Sequence, residues 1–458
     1  MSDFQSLLTK QSIFFREEAY FTIDFRLKML QKLEDSIRKN ESKINEALKE
    51  DLGKSAFEAY TTEVGYILFE ISHIKKHLKK WAKRKKVKTP QKIFFYSKSY
   101  IEHKPRGQVL IFAPWNYPFQ LVMSPLIGAI AAGNTAVIKT SEYADNTAKV
   151  LEDLISEIFP EKYIKVVRGS STTAQQLTDL DWDMVFYTGS ASIGKKVYEN
   201  AAKHLTPVLL ELGGKCPAII YKDANINVST RRLVWAKFLN AGQTCLAPDY
   251  ILVHKSAKNK VIKALKKEIT EQLGQNTKES AAFARIINEA HFDRLQKLLE
   301  QTEIIYGGES DKEKRYIAPT IVDEPSVSHP LMQEEIFGPI LPVISYEKIE
   351  DAIRFVNRNH PPLAIYCFLK SNKTFEFIER HTTSGSIVKN DAILQIANIN
   401  LPFGGVRQSG IGRYHGKSSF EAFSEVRTFL KHSTSFDPKL RYPPYTEKKW
   451  NLIKKALK

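Results

Sequence analysis

The chain has 458 residues, 43% of them hydrophobic and 11% aromatic, enough for a large core and two or three domains. That composition excludes a disordered chain, and three scattered cysteines exclude a disulfide framework or a cysteine-based zinc site. The net charge of +17 invites an acidic partner, but the densest basic run, residues 75–88, has neither RNA-binding aromatics nor zinc-finger spacing. It reads as a solvated helix face, and no nucleic-acid role is expected.

Residues 1–5 begin no basic-then-apolar leader. Leu27, Leu30, Leu33 and Ile37 recur at helical spacing and predict one amphipathic helix over 26–50. A second helix is predicted within 57–81, starting near Thr61 or Thr62; His73 and His77 stand four apart on it, without an HExxH pattern and among lysines, so they read as surface residues. Segments 93–96 and 99–102, between Pro90 and Pro105, read as a short pair of strands. From Gly107 onward strand and helix alternate: strand 108–113, helix 119–132, strand 135–139, helix 145–158, strands 164–167 and 183–187, helix 192–203. Residues 113–138 contain no charge, yet Pro114, Asn116, Pro118, Pro125 and Gly133 interrupt them, so a buried strand, helix and strand is expected rather than a membrane span. A second series runs from 217 to 387. Such alternation predicts parallel sheets covered by helices, the architecture that binds dinucleotides at strand ends. The terminal segment 448–458 reads as a short basic helix, too short to span a membrane.

One thiol stands apart. Cys245 lies in Asn240-Ala-Gly-Gln-Thr-Cys245-Leu-Ala-Pro-Asp249, between a helical run at 233–239 and a strand-like run at 250–254. A free cysteine is ordinarily a small buried hydrophobe, so this stretch alone leaves structural and nucleophilic readings open. Gly189-Ser-Ala-Ser-Ile-Gly194-Lys195 follows a strand and opens a helix, as a phosphate loop does. Lys196 occupies the position where an NTPase needs Ser or Thr for magnesium. A pyrophosphate site of another kind is expected, with Gly189 allowing close approach and Ser190 at the helix N-terminus.

Four further segments set polar groups in apolar or glycine-rich surroundings: Pro114-Trp-Asn116-Tyr-Pro-Phe119, Lys139-Thr-Ser-Glu142, Glu211-Leu-Gly-Gly-Lys215 and Glu334-Glu335-Ile-Phe337-Gly-Pro339. Singly, Asn116 reads as a helix N-cap, Lys139 as a strand end in solvent, Glu211 as the start of a turn and Glu335 as a surface charge. Together with Gly242-Gln-Thr-Cys245, these segments resemble the aldehyde dehydrogenase superfamily from about residue 20 to 445. Lys203-His-Leu-Thr-Pro-Val208, Tyr316-Ile-Ala-Pro-Thr320, Leu401-Pro-Phe-Gly-Gly405, Tyr414-His-Gly416 and Arg441-Tyr-Pro-Pro444 make it most similar to the class 3 branch acting on aromatic, medium-chain and fatty aldehydes.

The resemblance implies an α/β aldehyde dehydrogenase-like fold. Its Rossmann-type NAD(P)-binding domain would cover 1–85, 103–213 and 409–423, and its α/β catalytic domain 214–408. A small β bridging region would cover 86–102 and 424–440, with a C-terminal tail at 441–458. It implies oxidation of an aldehyde to a carboxylic acid through a thiohemiacetal and thioester on Cys245, with Asn116 holding the oxyanion and Glu211 activating water. Lys139, Glu142, Gly189, Ser190, Gly194, Glu335 and Phe337 are the implied cofactor contacts. NAD is the expected cofactor, with NADP the alternative, and no metal is implied. Tyr117, Trp235 and Phe403 are the implied walls of a funnel for apolar aldehydes. A cytoplasmic homodimer without stable membrane insertion is expected. Two departures stand out: Thr140 replaces the usual proline after the cofactor lysine, and Arg407-Gln408 replaces a common Gly-Asn pair where the substrate channel should open. An acylating relative that passes the thioester to coenzyme A or phosphate, and a silent structural protein on the same fold, are the competing readings.

Overall fold

The computed structural model describes residues 3–17, 21–90, 94 and 96–457. Among them, the alternation from Gly107 onward forms two helix-covered sheets. The first orders its six strands Gly410–Ile411, Val208–Glu211, Met184–Thr188, Gln108–Phe112, Thr135–Lys139 and Ile164–Val167, with only Gly410–Ile411 antiparallel. Chain order reverses at Gln108–Phe112: the next two strands lie on one side of it, the following two on the other. Such a switch point splays the loops after adjacent strands and opens a crevice at their carboxyl ends. The second sheet has seven strands, in the order Glu303–Tyr306, Thr320–Asp323, Ile340–Tyr346, Tyr250–His254, Pro217–Ile220, Ala364–Phe368 and Ser386–Lys389. Only its edge strand Glu303–Tyr306 runs antiparallel. The uncharged stretch becomes strand, helix and strand, and every residue of helix Gln120–Ala132 is buried.

Several expectations need correction. The single helix over 26–50 is two, Ile23–Lys39 and Glu41–Leu52. Asn40 parts them: at φ −105° and ψ 14° it leaves the helical backbone, and its side-chain amide donates to the Ser36 carbonyl that also accepts the last helical N–H. The basic run is helical only to Trp81, and Lys85–Val87 is a strand. That strand pairs with Lys98–Pro105, which pairs in turn with Ser424–Lys431 in an antiparallel three-stranded sheet. Of the strand expected at 93–96, Ile93 and Phe95 lie outside the described residues. Helices Asp3–Arg16 and Ser171–Thr178 were not expected; the latter buries only Leu177 and so shows no apolar stripe.

The predicted helix begins not at Thr61 or Thr62 but at Ala56, capped by Ser55, and opens irregularly: Ala56–Ala59, a π turn at Tyr60–Val64 and then Gly65–Trp81. Glu63 in this turn is fully buried and paired with Lys54, also fully buried. The other Glu63 oxygen accepts from the N–H groups of Phe119 (2.9 Å) and Gln120 (3.1 Å), so a carboxylate closes the N-terminus of the buried helix Gln120–Ala132. Removing one partner of such a pair strands a charge out of water and costs about 3–5 kcal/mol, whereas removing both costs less. Lys54→Met should therefore lower the thermal midpoint sharply, and Lys54→Met with Glu63→Gln should recover part of it, as read by scanning calorimetry.

Candidate active site

Beyond helix Ile226–Phe238 the chain makes three consecutive left-handed residues, Asn240 (φ 52°), Ala241 (φ 51°) and Gly242 (φ 76°). Two of these carry a Cβ, so the turn is strained and must be held from outside. The Asn240 N–H donates to Glu58 (2.8 Å) and its side-chain amide to the Asn116 carbonyl (2.8 Å). Gln243 donates to the carbonyls of Asn240 (3.0 Å) and Arg285 (2.9 Å). At Gly242 an added Cβ would lie 2.3 Å from the Gly338 carbonyl oxygen, so only glycine lets the thiol loop touch the segment bearing Glu335 and Phe337. Held this way, Cys245 is partly open to a cavity while Thr244 and Leu246 beside it are buried.

Asn116 follows strand Gln108–Phe112 and is buried. It is not a helix N-cap, the reading it has in isolation, because Phe119 occupies that position. Its amide donates one hydrogen to the Gln243 carbonyl at 3.0 Å, which leaves a second for a ligand. Lys54 donates to the Asn116 carbonyl (3.1 Å), and its ammonium sits 3.9 Å from the Tyr117 ring centroid. The Tyr117 hydroxyl shares a 2.7 Å hydrogen bond with Thr244, next to the thiol.

Two carboxyl groups flank the sulfur. Glu211 ends strand Val208–Glu211, and both of its carboxylate oxygens are buried without a hydrogen-bond partner among the described residues. Burial holds it well above the usual carboxylate range, with Arg413 opposing. Glu335 lies so close to the turn after Glu211 that a Cβ on Gly213 would come within 1.8 Å of its oxygen. Burial first, then Asp249, pushes Glu335 up to about 8. The Cys245 thiol is pushed up to about 12, first by burial and then by Glu335 and Glu211, although the N–H groups of Cys245 and Leu246 face the sulfur. At neutral pH the resting group is a thiol. Its activation needs a neighbouring base to take the proton.

These groups share a cavity of about 820 Å³ with Gly189, Ser190, Phe337, Tyr117, Trp235 and Phe403. Lys139, Glu142 and Gly194 do not line it. Lys139 ends its strand buried, donating to the Thr140 carbonyl (2.6 Å), with Glu142 at 3.7 Å. Gly194 lies under Leu212, where a Cβ would approach to 2.6 Å, so it serves helix packing. A dinucleotide fits the residues present. Ser190 caps the N-terminus of helix Ala191–Ala202 at the switch point, and a Cβ on Gly189 would meet the Tyr187 hydroxyl at 2.4 Å, leaving bare backbone on the cavity wall. The Phe337 and Trp115 rings meet edge to face, 5.3 Å apart, on the same wall. Trp235, 42% exposed, and Phe57, 80% exposed, stand at the mouth. Arg407 and Gln408 do not line the cavity. They sit on an exposed turn whose φ of 58° at Arg407 explains why glycine is common there.

Sequence reasoning missed the supports Lys54, Glu58, Glu63, Asn240 and Gln243. Asn240 and Gln243 lay inside the thiol motif, but nothing local tied the first three to it. His73 and His77 form an aromatic stack with Trp81, with the two imidazole centroids 4.4 Å apart. No group of three or more His, Cys, Asp or Glu among the described residues could hold a metal.

The aldehyde dehydrogenase family matches residues 11–429. The chain is 47% identical over 437 residues to 4,4'-diaponeurosporen-aldehyde dehydrogenase of Staphylococcus aureus, covering 95% of each. It is 43% identical to aldehyde dehydrogenase family 3 member A2 of Mus musculus, covering 95% of this chain and 90% of the relative. A solved structure, the substrate-bound state of Staphylococcus aureus AldH, superposes over all of both chains with a TM-score of 0.98 at 45% identity. With the thiol, the amide and two carboxyl groups gathered in one cavity of that fold, the chain belongs to the aldehyde dehydrogenase family, on its class 3 side, and is an oxidoreductase acting on aldehydes.

Proposed function

We propose that the chain oxidises apolar aliphatic and aromatic aldehydes to carboxylic acids through a thioester on Cys245. The observation that carries this is the convergence of Cys245, Asn116, Glu211 and Glu335 on one cavity with an aromatic mouth. The thiol gives up its proton to a neighbouring carboxylate, and its sulfur adds to the aldehyde carbonyl. The free Asn116 amide hydrogen and the Cys245 N–H stabilise the oxyanion of the thiohemiacetal. NAD or NADP, when bound, would supply the hydride acceptor needed to turn the thiohemiacetal into the thioester. Glu211, with two unpartnered oxygens, then takes a proton from water, which adds to the thioester and expels the thiolate. That free carboxylate favours water over coenzyme A as acceptor.

Lys139, Glu142, Ser190 and the Gly189 backbone hold the adenosine and pyrophosphate end of the cofactor, and Glu335 and Phe337 its nicotinamide end. Glu142 suits the ribose hydroxyls of NAD, while Lys139 attracts the 2′-phosphate of NADP. The first sheet is the nucleotide-binding domain (1–85, 103–213 and 409–423) and the second the catalytic domain (214–408). The small third sheet, from 86–102 and 424–440, bridges two copies. Its strand Ser424–Lys431 has one unpaired edge and exposes Val426 and Leu430, which suits edge-to-edge pairing. A cytoplasmic, reducing compartment suits a nucleophilic thiol among three cysteines in no disulfide. Among the described residues, no helix is long and apolar enough to cross a membrane.

Reduced-cofactor absorbance with a panel of aldehydes tests the reading. Cys245→Ala should show no turnover. Glu211→Gln should release at most one equivalent of reduced cofactor per site and then stall, with a steady rate roughly 10²–10⁴-fold down. Full steady turnover by Glu211→Gln would remove it as the water-activating base. A pH series gives a second test. Ionised Glu335 raises the thiol pKa, so Glu335→Gln should shift the iodoacetamide alkylation profile of Cys245 toward lower pH; an unmoved profile would deny the coupling. Light scattering should give twice the 52.4 kDa chain mass. A monomer would remove the bridging role.

A further inference from the structure

Cys245, Glu211 and Glu335 sit on three separate segments, and one ion pair outside the cavity touches all three. Lys215 follows Glu211 by four residues, and Asp249 follows Cys245 by four. Their side chains pair with almost no exposure to solvent. The Lys215 ammonium directs its other hydrogens to the carbonyls of Leu331 (2.9 Å) and Glu334 (2.7 Å), which bracket the approach to Glu335. The second Asp249 oxygen accepts from the Ile336 N–H at 3.0 Å, on the other side of Glu335. The Asp249 N–H donates to the Cys216 carbonyl (2.7 Å), and the Cys216 thiol donates to the Cys245 carbonyl (3.4 Å). Every hydrogen of the ammonium and both carboxylate oxygens are thus engaged. Arg294 grips the carbonyls of Glu335 and Ile336 from helix Glu289–Leu299, but it does not join them to the thiol loop or to the Glu211 turn.

A buried ion pair is a poor source of stability, because apolar residues of equal volume often do as well. What apolar residues lack is direction. They cannot hold three backbones at fixed separations, which a saturated set of hydrogen bonds does. We propose that the Lys215–Asp249 pair is a positioning device that fixes Glu335 and Phe337 relative to Cys245 and Glu211, and so sets the alignment of the cofactor's reacting end with the thioester-forming sulfur. This rests on the reading of Glu335 and Phe337 as cofactor contacts. Neither Lys215 nor Asp249 lines the cavity, so neither is a catalytic residue.

The test compares the full-length wild type with Asp249→Asn, Lys215→Met and the double variant Lys215→Met/Asp249→Asn. Three readouts are taken: the thermal midpoint, kcat and KM for NAD and NADP with one aldehyde, and the rate of Cys245 alkylation by iodoacetamide without cofactor. The single variants should lose thermal midpoint, and the double should regain much of it because no charge is stranded. The regained stability should not restore alignment: kcat/KM for the cofactor should stay about 10²-fold down, the scale expected of a misplacement near 1 Å. Alkylation should change far less than kcat/KM, since the loop bearing Cys245 keeps its own supports at Glu58, Asn116 and Arg285. A double variant with wild-type cofactor kcat/KM would overturn the proposal, and so would a loss matched by an equal loss of alkylation. A folded wild type that turns over no aldehyde with either cofactor would instead strike the functional reading itself.

Discussion

The turn at 240–242 is the constraint on which the site depends. Three successive left-handed residues aim Cys245 at the crevice instead of letting helix Ile226–Phe238 run on into strand Tyr250–His254. Such a backbone does not hold itself, and its partners come from far along the chain: Glu58, Asn116 and Arg285. Those same partners belong to the opposite wall of the cavity or to its support. One set of hydrogen bonds therefore carries both the strain of the nucleophile loop and the position of Asn116. Gly242, in backbone contact with Gly338, extends the coupling to the loop bearing Glu335.

A second constraint is dielectric. Glu211, Glu335 and Cys245 are all kept from water, and burial is the first cause of the raised pKa at each. The thiol is the resting form of Cys245, and its sulfur becomes reactive only when its proton moves to an ionised neighbouring carboxylate. The ion pairs Lys54–Glu63 and Lys215–Asp249 show the other way to keep charge out of water, with each ion facing its counter-ion and backbone dipoles. The unpaired carboxyls line the cavity, while the paired ions lie behind it.

How much of this was legible in the sequence follows physical range. Strands 135–139, 164–167 and 250–254 and the buried helix near 120–132 could be read because apolar runs with a glycine or proline close to at least one end are local signals. Cys245, Asn116 and Glu211 could be read because small, rigid neighbours in the right order carry the resemblance. Lys85–Val87 could not, since an edge strand with exposed lysines looks like any solvated basic segment. The break at Asn40 turned on one residue leaving the helical backbone, with its own amide back-bonded to Ser36, which the leucine spacing hides. Lys54 and Glu63 escaped notice because a buried ion pair nine residues apart has no pattern of its own; only the fold brings Asn116 to them.

Helix Gln120–Ala132, without a single exposed residue, has a consequence for synthesis. Its neighbours include helices Ile23–Lys39 and Gly65–Trp81, made before it, and helix Lys417–Ala422, made long after it. At Gly128 the late segment comes so close that a Cβ would stand 2.9 Å from Ser419 and 3.0 Å from Phe423. The most apolar helix of the chain therefore cannot be wholly covered while it leaves the ribosome. It stays partly bare until about the last tenth of the chain arrives, an interval in which its apolar surface is open to association with other chains.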